Sequence, residues 1–277
     1  MHAPECDTRG ASAGLEARPL RIGFINLMPR AEEYEKSLLA PFARAGVAIE
    51  PVWIRLALHA YSSSDPNRIR NAYTTFEEAL VQAPFDGLVL TGAPVEEMAF
   101  EDVLYWDELA AILRHAQNAV PSTLGLCWGG LALAHLVGVE KVRFEKKLFG
   151  VYPLSNLSPE DGVLAGADDV FSCPQSRHSG IADARLERAA NEGAVRLLAH
   201  SNAAGFSIFE SADRRFLMHL GHPEYEPARL AFEYTRDQRA GRSDVERPHG
   251  FDVDRPLSTW RSHATEFFGG WARSLRR

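Results

Sequence analysis

The sequence predicts an α/β fold with a largely parallel central sheet and flanking helices, and three observations carry that expectation. Along the first half of the chain, short apolar runs alternate with stretches of helical spacing, as parallel strands joined by crossover helices require. Candidate functional loops at Pro29, at residues 92–96 and at Cys127 each follow one of those runs. In open sheets ligands gather outside the carboxyl ends of the strands, so the three loops fall where a site belongs. The third observation is the stretch Ser122-Thr123-Leu124-Gly125-Leu126-Cys127-Trp128-Gly129-Gly130, which reads as a buried strand ending on a cysteine and turning into a helix. Such a nucleophile elbow needs small flanking residues so that the backbone can fold sharply beneath the reactive side chain.

Taken in order, residues 1–19 are rich in Ala, Gly and charge without periodicity, and read as a loose N-terminal arm. Residues 20–27, apolar and bounded by Met28-Pro29, form the first expected strand. A helix is expected over 32–45, where Tyr34, Leu38, Leu39 and Phe42 recur at helical spacing and Gly46 stops it, followed by a strand over 47–54. The polar segment around Ser62-Ser63-Ser64-Asp65-Pro66 reads as a loop available for substrate contacts, leading into a short helix containing Tyr73 and Phe76. A third strand follows at 85–90, a helix at 106–117, the elbow strand at 122–126 and its helix at 131–137. Residues 144–152 and 171–181 read as hairpin or loop, and 195–199, 204–209 and 215–220 as consecutive strands. A helix is expected over 227–240, and the aromatic tail with Trp260, Phe267, Phe268 and Trp271 should pack back on the body. With no repeat or linker in sight, residues 20–277 read as a single α/β domain.

Composition narrows the partners. A 277-residue chain with 45% hydrophobic residues can bury a large core, and a net charge of −7 lacks the cationic excess that nucleic-acid binding needs. A small-molecule partner is therefore expected. Three cysteines without a C-x-x-C pair point to a reducing compartment, and the cytoplasm fits. No signal-peptide core or membrane-spanning apolar run is apparent, so neither export nor membrane insertion is expected.

A free cysteine is most often a small buried hydrophobe, but the dipeptide Gly129-Gly130 straight after an apolar strand serves no packing purpose. It argues for a nucleophile on a tight turn, at a helix N-terminus that favours a thiolate. The Trp128 amide is then one oxyanion donor; Val95 in the neighbouring loop is the second, because Pro94 has no N–H. A cysteine nucleophile needs a base, and Gly221-His222-Pro223-Glu224 offers His222 with Glu224 to hold its ring. His219 should point to the opposite face, which counts against a metal site using both histidines, and no cluster has zinc-ligand spacing. Cys173 with His178 is a weaker nucleophile pair, lacking the glycines; Ser176, Arg177 and His178 could still line a pocket. By themselves, Lys146-Lys147 read as a solvated pair, and Arg236 as either a surface residue or a carboxylate clamp.

A set of motifs then occurs in one order: Asn26-Leu27-Met28-Pro29, Thr91-Gly92-Ala93-Pro94-Val95-Glu96, Cys127-Trp128-Gly129, Lys147-Leu148-Phe149-Gly150, Ser176-Arg177-His178, Gly221-His222-Pro223-Glu224-Tyr225 and Trp260-Arg261-Ser262-His263. In this the chain resembles the homoserine O-acyltransferases of methionine biosynthesis over roughly residues 20–275, a family with a class I glutamine amidotransferase-like (flavodoxin-like) architecture. The resemblance implies acyl transfer from acyl-CoA through a thioester on Cys127 to the hydroxyl of homoserine, with His222 as base and Glu224 orienting it. It implies no permanently bound cofactor, acetyl-CoA or succinyl-CoA as co-substrate, and a dimer. It also puts Lys147 and Ser176 at substrate-binding positions, and Arg236 at the position that binds the amino acid's carboxylate. Glu96 falls at the position that selects the acyl group. A glutamate there fills the room of a succinyl chain and repels its carboxylate, so acetyl is favoured over succinyl.

Gln175 stands where members of that family usually carry His, and residues 130–132 read Gly-Leu-Ala in place of Ala-Gln-Ala. Serine or another hydroxy amino acid is accordingly the alternative acceptor. Two other readings compete: a glutamine amidotransferase or amidase, which the elbow and His-Pro-Glu alone would permit, and a non-catalytic ligand-binding homologue.

Overall fold

In the computed structural model, which describes residues 18–276, ten strands form one sheet with helices on both faces. The loose arm expected at 1–19 lies outside the described residues except for Arg18 and Pro19, and Arg18 pairs with Asp86 at 2.7 Å. Strands β1 (Leu20–Ile25), β2 (Ile49–Ile54), β3 (Tyr73–Thr74), β4 (Gly87–Leu90), β5 (Thr123–Leu126) and β10 (Phe216–His219) run parallel. Beyond β10 the sheet continues antiparallel through β9 (Gly205–Ser211), β8 (Val195–Ser201), β6 (Val142–Asn156) and β7 (Val170–Gly180). The full order is β3-β2-β1-β4-β5-β10-β9-β8-β6-β7.

Both faces of the parallel part are covered, so its strands are apolar without alternation. Leu20, Ile22 and Phe24 of β1 pack with α1 (Ala31–Arg44) and α8 (Arg261–Ser274). Ile25 and Leu88 join the opposite core, under α3 (Phe76–Gln82), α4 (Trp106–Ala119) and α5 (Trp128–Leu136). The tail does pack back: Phe268 and Trp271 of α8 are buried against Phe42 of α1.

Several local expectations change. Tyr73 is not helical. The helix begun at Pro66 behind the Asp65 cap, α2 (Pro66–Ala72), ends before it, and Tyr73 pairs with Trp53 as a two-residue edge strand. Thr75 and Glu78 then form a reciprocal capping box that starts α3 at Phe76. The elbow helix starts at Trp128, directly after the cysteine. Of the two readings open for 144–152 and 171–181, hairpin rather than loop is found, as the long antiparallel strands β6 and β7, and α6 (Asp183–Asn191) after them has no counterpart in the sequence reading. The helix expected at 227–240 is present as α7 (Pro227–Arg239). Among the described residues no helix is long and apolar enough to cross a membrane.

Candidate active site

The loops at the carboxyl ends of β1, β4 and β5 converge on one cavity of about 360 Å³, lined by Met28, Pro29, residues 92–98 and Cys127 on one side and by β7 and α7 on the other. Cys127 sits between β5 and α5 with φ 51° and ψ −115°, a left-handed conformation that a non-glycine residue holds at a cost of about 1–3 kcal/mol. The flanking glycines make that turn sterically feasible. A Cβ on Gly125 would lie 2.5 Å from the Gly129 carbonyl oxygen, and one on Gly129 would lie 2.5 Å from that of Leu90. The Cys127 N–H donates to the His219 carbonyl at 2.8 Å, which ties the elbow to β10. Trp128 is the first residue of α5, so its N–H lacks an intrahelical acceptor, and its indole is buried among Phe100, Tyr105 and Trp106. Val95 lines the cavity from the opposite loop.

His222 follows β10 and lines the same cavity as Cys127. Its Nδ1 meets Glu224 Oε1 at 2.7 Å, and its ring stacks on Tyr225 with centroids 3.9 Å apart. Tyr34 of α1 also donates a short hydrogen bond to Glu224 Oε1. Burial alone would push the His222 imidazole down. The negative charge of Cys127 and Glu224 outweighs it and raises His222 well above the ordinary histidine value.

Alternation along β7 sorts the residues expected near the pocket. Ser176 and His178 face the cavity, whereas Arg177 turns to the other side, where it donates to Gln175 Oε1 at 2.9 Å and to the Ala204 carbonyl at 2.8 Å. The expectation that Arg177 lines the pocket is therefore corrected. Gln175 shares that far side, fully buried, and Leu131 lies in the core, so these two departures from the family pattern do not touch the cavity. The 62–66 loop does not reach it either; Ser63 and Ser64 accept from the Arg30 and Ala31 amides and shape the start of α1.

Lys147 is buried, not part of a solvated pair: Lys146 points outward to Glu246, while Lys147 Nζ donates to Asp237 Oδ2 at 2.8 Å and lies 3.7 Å from Glu233 Oε2. Glu233 also accepts from Ser176 Oγ, from Tyr225 OH at 2.9 Å and from Arg229 Nε at 3.2 Å. Desolvation opposes its ionisation, but Lys147 and Arg229 outweigh it and hold the carboxyl at about 2. The sequence alone gives Glu233, Tyr34 and Asp237 no functional role. Arg236 lines the cavity mouth, half-exposed, with its Nε donating to Asp237 Oδ1 at 2.7 Å. Glu96 lines the cavity too, its Oε1 3.0 Å from His178 Nδ1.

Cys173, the weaker nucleophile, is fully buried away from the cavity, and desolvation pushes its thiol well up. With His219 and His263 it forms the one group among the described residues whose potential ligand atoms lie within 4.8 Å of one another. The Gly221 N–H donates to His219 Nδ1 at 3.0 Å, which assigns the proton of the neutral ring to Nε2, the nitrogen that faces the other two. A cation would have to displace that proton, so the donor set fits a hydrogen-bonded core cluster better than a metal centre.

A strained cysteine at the end of a parallel strand, faced by a His-Glu pair at the end of the next, puts the chain in the class I glutamine amidotransferase-like class of α/β folds. Solved structures agree on the fold. A glutamine amidotransferase from Methylobacillus flagellatus superposes with a TM-score of 0.59 over 94% of this chain and 96% of its own, at 16% identity. One from Thermotoga maritima gives 0.58 over 94% and 97%, at 15% identity. Within that class, the family model for homoserine O-succinyltransferase matches residues 7–275, and the chain belongs to that family. Among relatives named homoserine O-acetyltransferase, that of Brevibacillus brevis is 37% identical over 92% of this chain and 84% of its own. That of Bacillus subtilis is 34% identical over 92% and 85%.

Proposed function

We propose that the protein is a homoserine O-acyltransferase that carries an acetyl group from acetyl-CoA to the hydroxyl of L-homoserine through a thioester on Cys127. The observation that carries this is the pairing, in one cavity, of Cys127 and His222 with a wall of fixed charges, Glu233 and Arg236, suited to an amino acid. Family membership favours a transferase over an amidase.

In the first half-reaction the Cys127 thiolate attacks the thioester carbonyl. The oxyanion forms against the amides of Trp128 and Val95, each such donor being worth about 10²–10³-fold in rate. The carbon–sulfur bond to coenzyme A breaks, His222 protonates the departing thiolate, and the acyl group stays on Cys127. Now neutral, His222 takes the proton of the homoserine hydroxyl as that oxygen attacks the acyl-enzyme; collapse releases O-acylhomoserine and restores the thiolate–imidazolium pair. Glu224, buried and braced by Tyr34, keeps the His222 ring in one orientation through both halves.

For the acceptor, Glu233 receives the α-ammonium and Arg236 the α-carboxylate. Lys147 and Ser176 act by holding Glu233 in place, since both already contact its carboxylate. Homoserine is preferred to serine because the family departures at Gln175 and Leu131 lie outside the cavity and give no reason for a changed acceptor. Glu96 narrows the acyl end and adds a negative charge, which supports acetyl over succinyl. An acceptor panel of homoserine, serine and threonine against acetyl-CoA and succinyl-CoA tests both choices. Homoserine with acetyl-CoA should give the highest kcat/KM, and a preference for succinyl-CoA or for serine would overturn the corresponding part.

A further inference from the structure

We infer that His178 determines acyl-donor selectivity by holding the Glu96 carboxylate across the acyl end of the cavity; this rests on the reading of Glu96 as the residue facing the acyl group. The backbone of the Glu96 loop is pinned from outside. The Lys141 ammonium donates to the carbonyls of Glu96 and Met98, and Ser179 Oγ donates to the Glu96 carbonyl at 2.8 Å. With the backbone fixed, the carboxylate's position depends on its side-chain contact. Oε1 meets His178 Nδ1 at 3.0 Å, while Oε2 is buried without a hydrogen-bond partner among the described residues.

The charges around His178 set the consequence. From the loop come Glu96 and Glu97, from the segment after α7 come Arg242 and Asp244, and from the start of β6 come Lys141 and Arg143. Arg242 joins Glu97 at 3.0 Å and Asp244 at 2.6 Å, and Arg143 also pairs with Glu97. Of the three carboxylates, Glu96 has no arginine among these contacts, and His178 is its charged-when-protonated partner. The other imidazole nitrogen, Nε2, lies 3.4 Å from Asp244 Oδ2, so only the imidazolium can present an N–H to both acids. Held there, the Glu96 side chain meets a succinyl chain with both its bulk and its charge.

The test is the ratio of kcat/KM for acetyl-CoA to that for succinyl-CoA at a single pH, in which effects common to both donors cancel. His178→Gln, which keeps an N–H donor for the carboxylate, should retain the acetyl preference. His178→Ala should lower the ratio about tenfold by freeing the carboxylate, and Glu96→Gly should abolish the preference. If Glu96→Gly abolishes it but His178→Ala keeps the wild-type ratio, the inference is overturned while the reading of Glu96 stands. An unchanged ratio in Glu96→Gly overturns both.

Discussion

His222 and Glu224 meet across 2.7 Å, Nδ1 to Oε1, with both side chains closed off from solvent. That contact commits one ring nitrogen to the carboxylate and leaves the other for the Cys127 sulfur. Since Glu224 is among the charges that raise His222, its removal has a signed effect on pH dependence. In Glu224→Gln the imidazolium loses stabilisation, so the alkaline limb of the kcat/KM profile should move to lower pH. The rate should fall by roughly 10²–10⁴-fold, as when the orienting acid of a triad is neutralised. Tyr34→Phe, which removes one charge-assisted hydrogen bond to the same oxygen, should cost less, about tenfold. A pH–rate profile of the two variants checks the sign and the ranking.

Gly129→Ala should prevent the elbow from forming. Its Cβ would stand 2.5 Å from the Leu90 carbonyl oxygen and 2.7 Å from that of Thr91, both backbone atoms of β4 and its loop that cannot yield cheaply. We expect a loss of more than about 3 kcal/mol in urea denaturation, or no soluble protein. Retention of wild-type stability would contradict the close packing of α5 on β4.

The Lys147–Glu233–Asp237 group makes stability depend on acid. Glu233 is held at about 2, below the value of an unfolded glutamate, so its contribution is fully present above about pH 4.5 and is lost as pH falls toward 2. Lys147→Met leaves two buried carboxylates without their ammonium and should cost about 3–5 kcal/mol at neutral pH. The deficit should shrink as the acids protonate, and urea titrations of both proteins at neutral and at acid pH measure it.

Arg236→Ala should raise the KM for homoserine with little effect on formation of the acyl-enzyme from acetyl-CoA, because Arg236 stands at the mouth beside Asp237 and not at the sulfur. Comparing single-turnover acylation with steady-state acceptor saturation separates the two. Equal loss in both would place Arg236 in the acylation step.

Much of the site could be read from the chain because its physics is local. The elbow needs glycines at fixed distance from Cys127, and the acid that orients His222 lies two residues away, so both leave a pattern in the sequence. Glu233 and Tyr34 leave none: on α7 and α1 a glutamate and a tyrosine look like ordinary helix residues until the sheet brings them against Lys147 and Glu224. Taken alone, Lys146-Lys147 reads as a solvated pair for the same reason, since a Lys-Lys pair on a strand sends one side chain out and the other in, and only the partner across the cavity decides which. Tyr73 was assigned to a helix because short polar segments carry little periodicity, while its actual state depends on edge pairing with Trp53. The parallel half of the sheet was legible as buried apolar runs. The β6–β7 pair is legible only as hairpin or loop, because β6 mixes buried and exposed positions without regular alternation.

The central claim is that Cys127 carries the acyl group, and intact-protein and peptide mass spectrometry after incubation with acetyl-CoA in the absence of acceptor tests it most directly. The account predicts one acetyl adduct on the Cys127 peptide, discharged on adding homoserine and absent in Cys127→Ala. Acyl transfer that persists in Cys127→Ala, or glutamine-dependent ammonia release with no adduct on Cys127, would contradict it.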